Sequence, residues 1–267
     1  MSHPSLADSW SVDDHGRPVI LPGMAGVCYD VRVGSPVFSW AADHLEAGVS
    51  AGGAGPPPDA ALQFLACVGN PVRVLTGPAA GGTGTVVGKH AFVLCDFPQE
   101  TLDLLGPGDR LLVRAAGQGL ALLDHPDVAL RSFGPELLDG LPVRVDGDGR
   151  LAISVAAEIP AYLMGAGIGM SSEWANCDVM LTRPETVAEL GYGHLRIGDV
   201  VAMIDQDHRW GRGHRSGWCA IGIVAHGIGV IPGHGTGVIT IMSGPAERFA
   251  LAVDRDANIG TGLGLPA

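Results

Sequence analysis

Histidines and aspartates, the side chains that most often bind metals or move protons, are concentrated in residues 195–242. Asp205 and Asp207 follow the apolar run VVAMI, and in an extended chain both side chains would lie on one face. Two carboxylates at the end of a strand can hold a divalent cation, or one can act as a general base. A polar turn would carry the same residues. We predict catalytic roles for both aspartates, with the turn as the alternative.

The histidines of this segment differ in context. His226 ends the apolar run AIGIVA, where a buried histidine bonded to a carbonyl is also common. His234 lies between two glycines, which bring the backbone close to a ligand and favour a functional role. We expect His208 and His214 to be loop residues. Neutral imidazole with carboxylate co-ligands suits Zn, Mn or Fe.

Two earlier segments supply further candidates. Asp43-His44-Leu45-Glu46 would place His44 and Glu46 on one face of an extended chain, although a surface loop is equally compatible. Lys89, the single lysine of the chain, stands beside His90. Its ammonium could stabilise an oxyanion, hold an anionic substrate group or form a Schiff base. The residues predicted to bind a divalent metal are His44, Glu46, His90, His226 and His234.

No dense ligand motif such as HExxH or CxxC is present, so a metal site must combine distant segments. Lys89 and Asp178 complete the predicted catalytic set with the two aspartates. Polar residues and one glycine near these segments are predicted to contact a small-molecule substrate: Asn70, Gln118, Glu173, Arg212 and Gly235.

The elements around these residues are mainly short strands. With 46% hydrophobic residues, 41 glycines and 19 prolines in 267 residues, the composition predicts a mainly β, α+β fold with many turns. We predict an arm over 1–18 and two packed β-rich halves, 19–150 and 151–267. Helices are expected at 59–67 and 184–190, a helix or turn at 131–141, a hairpin within 77–97, and strands on both sides of Gly117-Gln118-Gly119.

Charge and cysteine content exclude several classes of protein. The net charge of −12 argues against nucleic-acid and anionic membrane partners. No apolar run is long enough to span a membrane, and the first residues lack a signal peptide. Five scattered cysteines predict reduced thiols in the cytoplasm. We also expect a homo-oligomer.

Several motifs together resemble the bacterial and archaeal family known as domain of unknown function 4438. They are AADHLEAGVS (41–50), FLACVGN (64–70), GKH (88–90), GQG (117–119), GDVVAMIDQD (198–207), IGIVAH (221–226) and GHGTGV (233–238). The resemblance covers about residues 18–243 and implies a β-rich fold of two closely packed halves, without a settled activity.

A fainter resemblance is to the acetamidase/formamidase family. Asn176-Cys177-Asp178, Gly198-Asp199 and Asp205 are similar to that family's Asn-x-Asp and Gly-Asp segments, but Val201 stands where the family has histidine. The resemblance implies hydrolysis of a C–N bond, with Asp178 and Asp205 near the metal or the water.

Three functions therefore compete. The first is a metal-dependent hydrolase of a small amide, lactam or cyclic imide. The second is a metal-free lyase, isomerase or cyclase that uses Lys89, His90 and an aspartate as acid and base. The third is a non-enzymatic oligomer that binds a small molecule.

Overall fold

The computed structural model describes residues 11–13, 15–19, 26–38, 40–141 and 143–265. Strands dominate, and the α+β, mainly β class is confirmed. A first six-stranded antiparallel sheet has the order β3-β4-β7-β6-β5-β8. Its strands are β3 (Val27–Cys28), β4 (Gly48–Ala51), β5 (Pro71–Val74), β6 (Thr83–Lys89), β7 (Val93–Asp96) and β8 (Leu111–Val113). β6 and β7 form the hairpin predicted within 77–97.

A second sheet holds the Asp/His-rich segment. Its order is β12-β14-β15-β16-β13, and β9 also pairs with β16. All of its pairs are antiparallel except β12 with β14. Its strands are β9 (Ala129–Leu130), β12 (Ala157–Ile159), β13 (Cys177–Val179), β14 (Val200–Asp207), β15 (Gly213–His226) and β16 (Thr236–Pro245). The β-branched run GVITIM suits β16 because both faces of this strand are buried.

Smaller units complete the architecture. A hairpin joins β1 (Ser11–Val12) to β2 (Pro18–Val19), and a third sheet has the order β10-β11-β17, formed by Arg144–Val145, Leu151–Val155 and Phe249–Val253. The helices are α1 (Pro56–Leu65), α2 (Gln99–Leu102), α3 (Leu137–Gly140), α4 (Pro184–Leu190) and α5 (Ile259–Gly262), with 3-10 turns at Ala161–Leu163 and Ala246–Arg248. None of the helices in the described residues is long and apolar enough to cross a membrane.

Four local predictions need correction. Helix α1 begins at Pro56 rather than at Asp59, because prolines suit the first helical positions, and the Asp59 carboxylate instead accepts a bond from the Gly53 amide at 2.8 Å. No strand follows Gly119, where the chain makes only a single bridge between Ala121 and Ala129. His214 lies within β15 rather than in a loop. The described part of the 1–18 arm is the β1/β2 hairpin, and residues 1–10 and 14 lie outside the described residues.

The helix at 184–190 is confirmed as α4, residue for residue, and 131–141 contains α3. The largest part of the core draws on both sheets, since Val68 and Leu94 pack in one cluster with Ile221 and Ile241. This shared core holds the end of β15, where His226 lies, against the end of β6, where Lys89 lies.

Candidate functional site

Three side-chain atoms from distant segments converge at the end of the second sheet. His44 lies in the loop before β4, Asp178 on β13 and His234 in the loop before β16. His44 Nε2 is 2.9 Å from His234 Nδ1 and 3.5 Å from Asp178 Oδ2, and His234 Nδ1 is 3.0 Å from the same oxygen. We call these three atoms the ligand triangle. It is the group of described histidine, cysteine and carboxylate ligands that could together hold a metal ion.

The dimensions of the ligand triangle fit a first-row divalent ion. Sides of 2.9, 3.0 and 3.5 Å define a circle of radius about 1.8 Å, smaller than the ~2.0–2.2 Å bonds that Zn²⁺ makes to nitrogen and oxygen. A divalent ion bound here would therefore be held by His44, Asp178 and His234. His234 is 33% exposed whereas His44 and Asp178 are buried, so the triangle opens to solvent on the His234 side.

His44 is held rigidly. Its Nδ1 lies 2.9 Å from Asp43 Oδ1, so an Nδ1–H donated to this carboxylate leaves the Nε2 lone pair in the triangle. Its backbone amide donates to the carbonyl of Ile228 at 2.8 Å, and Asp43 also accepts a bond from the Val230 amide at 3.0 Å. The φ of His44 is 55°, a left-handed conformation that fits the loop alternative rather than an extended segment.

The electrostatics of the triangle favour a positive charge within it. Burial opposes the cationic form of His44, yet the carboxylates of Asp178 and Asp43 outweigh it and raise its pKa to about 9. Burial also opposes ionisation of Asp178, but its contacts with His226, His234 and His44 hold the pKa of Asp178 well below its usual range. In the absence of another cation, the proton on His44 offsets one of the two carboxylate charges, and a metal ion could take its place.

His226 presents a neutral nitrogen beside the triangle. Its Nδ1 lies 2.7 Å from the carbonyl oxygen of Gly227 and donates to it, so Nε2 accepts a bond from Asn176 Nδ2 at 2.9 Å. Burial and the neighbouring His90 lower its pKa, although Asp178 opposes this. Asn176 also donates to Asp178 Oδ1 at 2.8 Å. His226 is thus a buried histidine bonded to a carbonyl, and it also lies in the site.

His90 and Glu46 form a pair at the edge of the same cluster. His90 Nδ1 is 2.7 Å from Glu46 Oε1, and Ser50 donates to the other carboxylate oxygen. The His90 ring stacks on His44, with centroids 5.3 Å apart, and lies 4.3 Å from His226. Glu46 was predicted as a metal ligand, but it lies outside the ligand triangle and orients His90 instead.

Lys89 leads into a second polar group. Its ammonium is fully buried and donates to Ser132 Oγ at 2.8 Å and to the backbone carbonyl of Glu173 at 3.2 Å. Burial lowers the pKa of Lys89 to about 8. The Glu173 carboxylate accepts bonds from Ser132 and from Gln118 Nε2, the latter at 3.0 Å. Arg212 lies in the same region.

Other predicted residues lie elsewhere. Asp205 has a left-handed φ of 55° at a β-bulge and accepts a bond from the Gly217 amide at 2.8 Å, toward the opposite end of β15 from His226. Asp207 pairs with Arg209 and Arg215, which both stack on Trp218. Both aspartates therefore lie at the end of β14 that is farther along the β14/β15 hairpin from His226, and their contacts are with Gly217 and arginines.

Two residues predicted to contact the substrate, Asn70 and Gly235, make close contacts within the protein. Asn70 is buried and bonds to the backbone of Cys67 and Ala116. Gly235 permits a close approach of two strands, since a Cβ there would lie 1.8 Å from the carbonyl oxygen of Val179. Sequence reasoning omitted Ser132, whose left-handed φ of 47° has no sequence signal, and left Asp43 and Asn176 unassigned although both adjoin candidates.

The chain belongs to the family of domain of unknown function DUF4438. The N-terminal family model matches residues 10–139 and the C-terminal model residues 140–263. A solved structure, described as the crystal structure of TM1086, is similar over 97% of this chain and 92% of that chain, with 38% sequence identity and a TM-score of 0.93. No curated protein matches the chain.

Proposed function

We propose that the protein is a metal-dependent hydrolase of a C–N bond in a small amide, lactam or cyclic imide. The observation that carries the proposal is the ligand triangle, because its three sides suit a single divalent ion. His44, Asp178 and His234 would hold the ion, and their nitrogen and oxygen atoms favour Zn, Mn or Fe. A divalent ion supplies two effects to hydrolysis: it lowers the pKa of a bound water and polarises a carbonyl.

The residues around the triangle supply the proton transfers. Glu46 accepts the Nδ1–H of His90, which leaves Nε2 of His90 as a proton acceptor. We assign His90 as the general base, in place of Asp205 or Asp207. Asn176 fixes the free oxygen of Asp178 and the neutral nitrogen of His226, so both keep one orientation.

The choice of a C–N bond rests on the resemblance to the acetamidase/formamidase family. The Asn176-Cys177-Asp178 segment carries it, and Asn176 and Asp178 are bonded to one another in the site. Asp205 also belongs to that resemblance but lies outside the site. The resemblance therefore supports cleavage of a C–N bond only through the Asn176-Cys177-Asp178 segment.

Metal analysis of purified protein tests the proposal. We expect about one equivalent of a divalent metal in the natural protein and its loss in Asp178→Asn and His234→Ala. His214→Ala is the matched control, because His214 is exposed, pairs with Gln206 on β14 and is not part of the ligand triangle. Metal-free natural protein that also fails to bind added Zn²⁺ or Mn²⁺ would refute the proposal, as would full metal content in both variants.

A second candidate is metal-free lyase, isomerase or cyclase chemistry through Lys89. The lowered pKa of its buried ammonium favours this candidate, since a neutral amine can form a Schiff base. Borohydride reduction in the presence of a carbonyl substrate should then attach the substrate to Lys89. Activity that survives Lys89→Met would eliminate this candidate.

A further inference from the structure

Lys89 and Arg212 are two buried cations without a carboxylate partner. Lys89 is 0% and Arg212 1% exposed, and neither forms a salt bridge within the described part of the chain. The carboxylate of Glu173 lies nearby but bonds to Ser132 and Gln118. Unpaired buried charge is costly, and buried cations are normally paired. In a protein with a net charge of −12, two buried cations without a direct ion pair among the described residues require an explanation.

The hydrogen bonds of the two cations are incomplete. Arg212 Nη2 donates to the carbonyls of Trp174 and Ala175 at 3.0 and 2.9 Å, but Nε and Nη1 are buried without partners among the described residues. The Lys89 ammonium has three hydrogens and two acceptors, Ser132 Oγ and the Glu173 carbonyl. A buried anion could accept hydrogen bonds from these unused donors.

The position of the cations connects them to the ligand triangle. Lys89 is followed by His90, and the carbonyls that Arg212 binds belong to the segment that leads directly into Asn176 and Asp178. Both cations also donate to carbonyls of one short segment, Lys89 to that of Glu173 and Arg212 to those of Trp174 and Ala175. An anionic group between the cations would therefore lie next to the proposed reaction site.

A chain of hydrogen-bonded side chains connects Lys89 to the surface. Ser132 Oγ accepts from Lys89 and donates to Glu173, whose carboxylate is partly exposed and also bonds to the exposed Gln118. The aromatic pair Phe64 and Trp174, 5.8 Å apart, borders this point, since Gln118 also donates to the Phe64 carbonyl. A ligand that displaced the Gln118–Glu173 contact would reach Lys89.

We propose that Lys89 and Arg212 bind a carboxylate group of the substrate. One carboxylate supplies two oxygens for the unused donors and adds a negative charge to the two cations. The substrate is then a carboxylate-bearing amide, lactam or imide. This last step rests on the proposed function, whereas the anion site itself does not.

Titration with acetate in the presence of EDTA tests the anion site without any metal. Acetate should bind the natural protein more tightly than chloride or inorganic phosphate at constant ionic strength, and raise its melting temperature. Lys89→Met and Arg212→Met should each weaken acetate binding at least tenfold. Arg150→Met is the control, because Arg150 is exposed and pairs with Asp146 at the surface. Failure of the natural protein to bind acetate, or equal binding by both variants, would overturn the assignment.

Two further measurements separate the possible failures. Arg212→Lys retains the charge and should retain part of the binding if the methionine variants do not fold. A crystal of the natural protein soaked in acetate should show the carboxylate within hydrogen-bond distance of Lys89 Nζ, and water alone there would also overturn the assignment. Metal content unchanged in Lys89→Met would leave the metal proposal intact, whatever the outcome for acetate.

Discussion

Gly229→Ala is the most direct perturbation of the ligand triangle that leaves every ligand in the sequence. A Cβ at position 229 would lie 2.4 Å from His44 Nε2, 2.5 Å from His44 Cε1 and 2.9 Å from His234 Cβ. Ordinary contacts begin near 3.4 Å, so the imidazole must move by about 1 Å (3.4 minus 2.4). The bond from His44 to Asp43 and the left-handed backbone of His44 oppose this movement.

The expected cost of this variant has two parts. Overpacking of a buried position typically costs about 1–3 kcal/mol of folding free energy, which the protein should tolerate. Metal bonds tolerate only about 0.2 Å, so a displacement of about 1 Å should remove His44 from the triangle. We expect metal affinity to fall by ~100-fold or more, since even changes to the residues that orient ligands cost about 10–100-fold.

Zinc titration by calorimetry, with urea unfolding in parallel, measures both parts. The matched control is Gly213→Ala, because a Cβ at Gly213 has nothing within 4 Å and this glycine also lacks a left-handed φ. Gly213→Ala should match the natural protein in both measurements. If Gly229→Ala binds zinc with natural affinity while folding normally, the ligand triangle does not hold the metal.

Two further predictions concern neighbouring residues. In Gly237→Ala, the new Cβ would lie 2.0 Å from His226 Nε2 and 2.5 Å from Asn176 Nδ2, so the hydrogen bond between these two side chains should break. We expect metal affinity to fall by less than in Gly229→Ala, because neither residue belongs to the ligand triangle. Calorimetric zinc titration of both variants checks this order. Burial lowers the pKa of His208 to about 3, so the folded state keeps it neutral while the unfolded state takes up a proton below about 6.5. The contribution of His208 to stability is therefore complete above pH 6.5 and falls by about 2 kcal/mol between pH 8 and pH 5. The raised pKa of His44 changes stability in the opposite direction over this range, so two proteins must be compared. In urea unfolding, His208→Gln should lose about 2 kcal/mol less than the natural protein between pH 8 and pH 5, and equal changes in the two proteins would contradict the prediction.

The sequence predicts which histidines are candidates for the site, but it does not predict how their rings are arranged. His44, His90, His226 and His234 were selected because each follows an apolar run, stands beside glycine or adjoins another polar side chain. The structure brings their rings to within 4.3–5.3 Å of their neighbours. Which atoms meet depends on the left-handed backbone of His44 and on the close packing of Gly229. Neither feature can be predicted from the identity of the residue.

Asp205 and Asp207 show that proximity in the sequence does not establish proximity in the fold. Both stand near the histidines in residues 195–242, but β14 and β15 form a hairpin whose far end lies away from His226. The bulge at Asp205 turns its side chain toward the Gly217 amide. A segment that folds into a long hairpin places its polar residues at opposite ends of two strands. A short motif does not indicate how long those strands are, so it does not indicate which polar residues meet.

The ligand triangle joins the two halves of the family. His44 lies in the region matched by the N-terminal family model, and Asp178 and His234 lie in the region matched by the C-terminal model. The cation pair divides in the same way, with Lys89 in one region and Arg212 in the other. The largest core cluster also mixes side chains from both sheets, whereas a smaller cluster around Val86 and Phe97 lies wholly in the N-terminal half. Neither half therefore presents a complete site by itself. Ligand binding at either place should therefore stabilise the contact between the halves, since a ligand that binds only the folded chain shifts the equilibrium toward it.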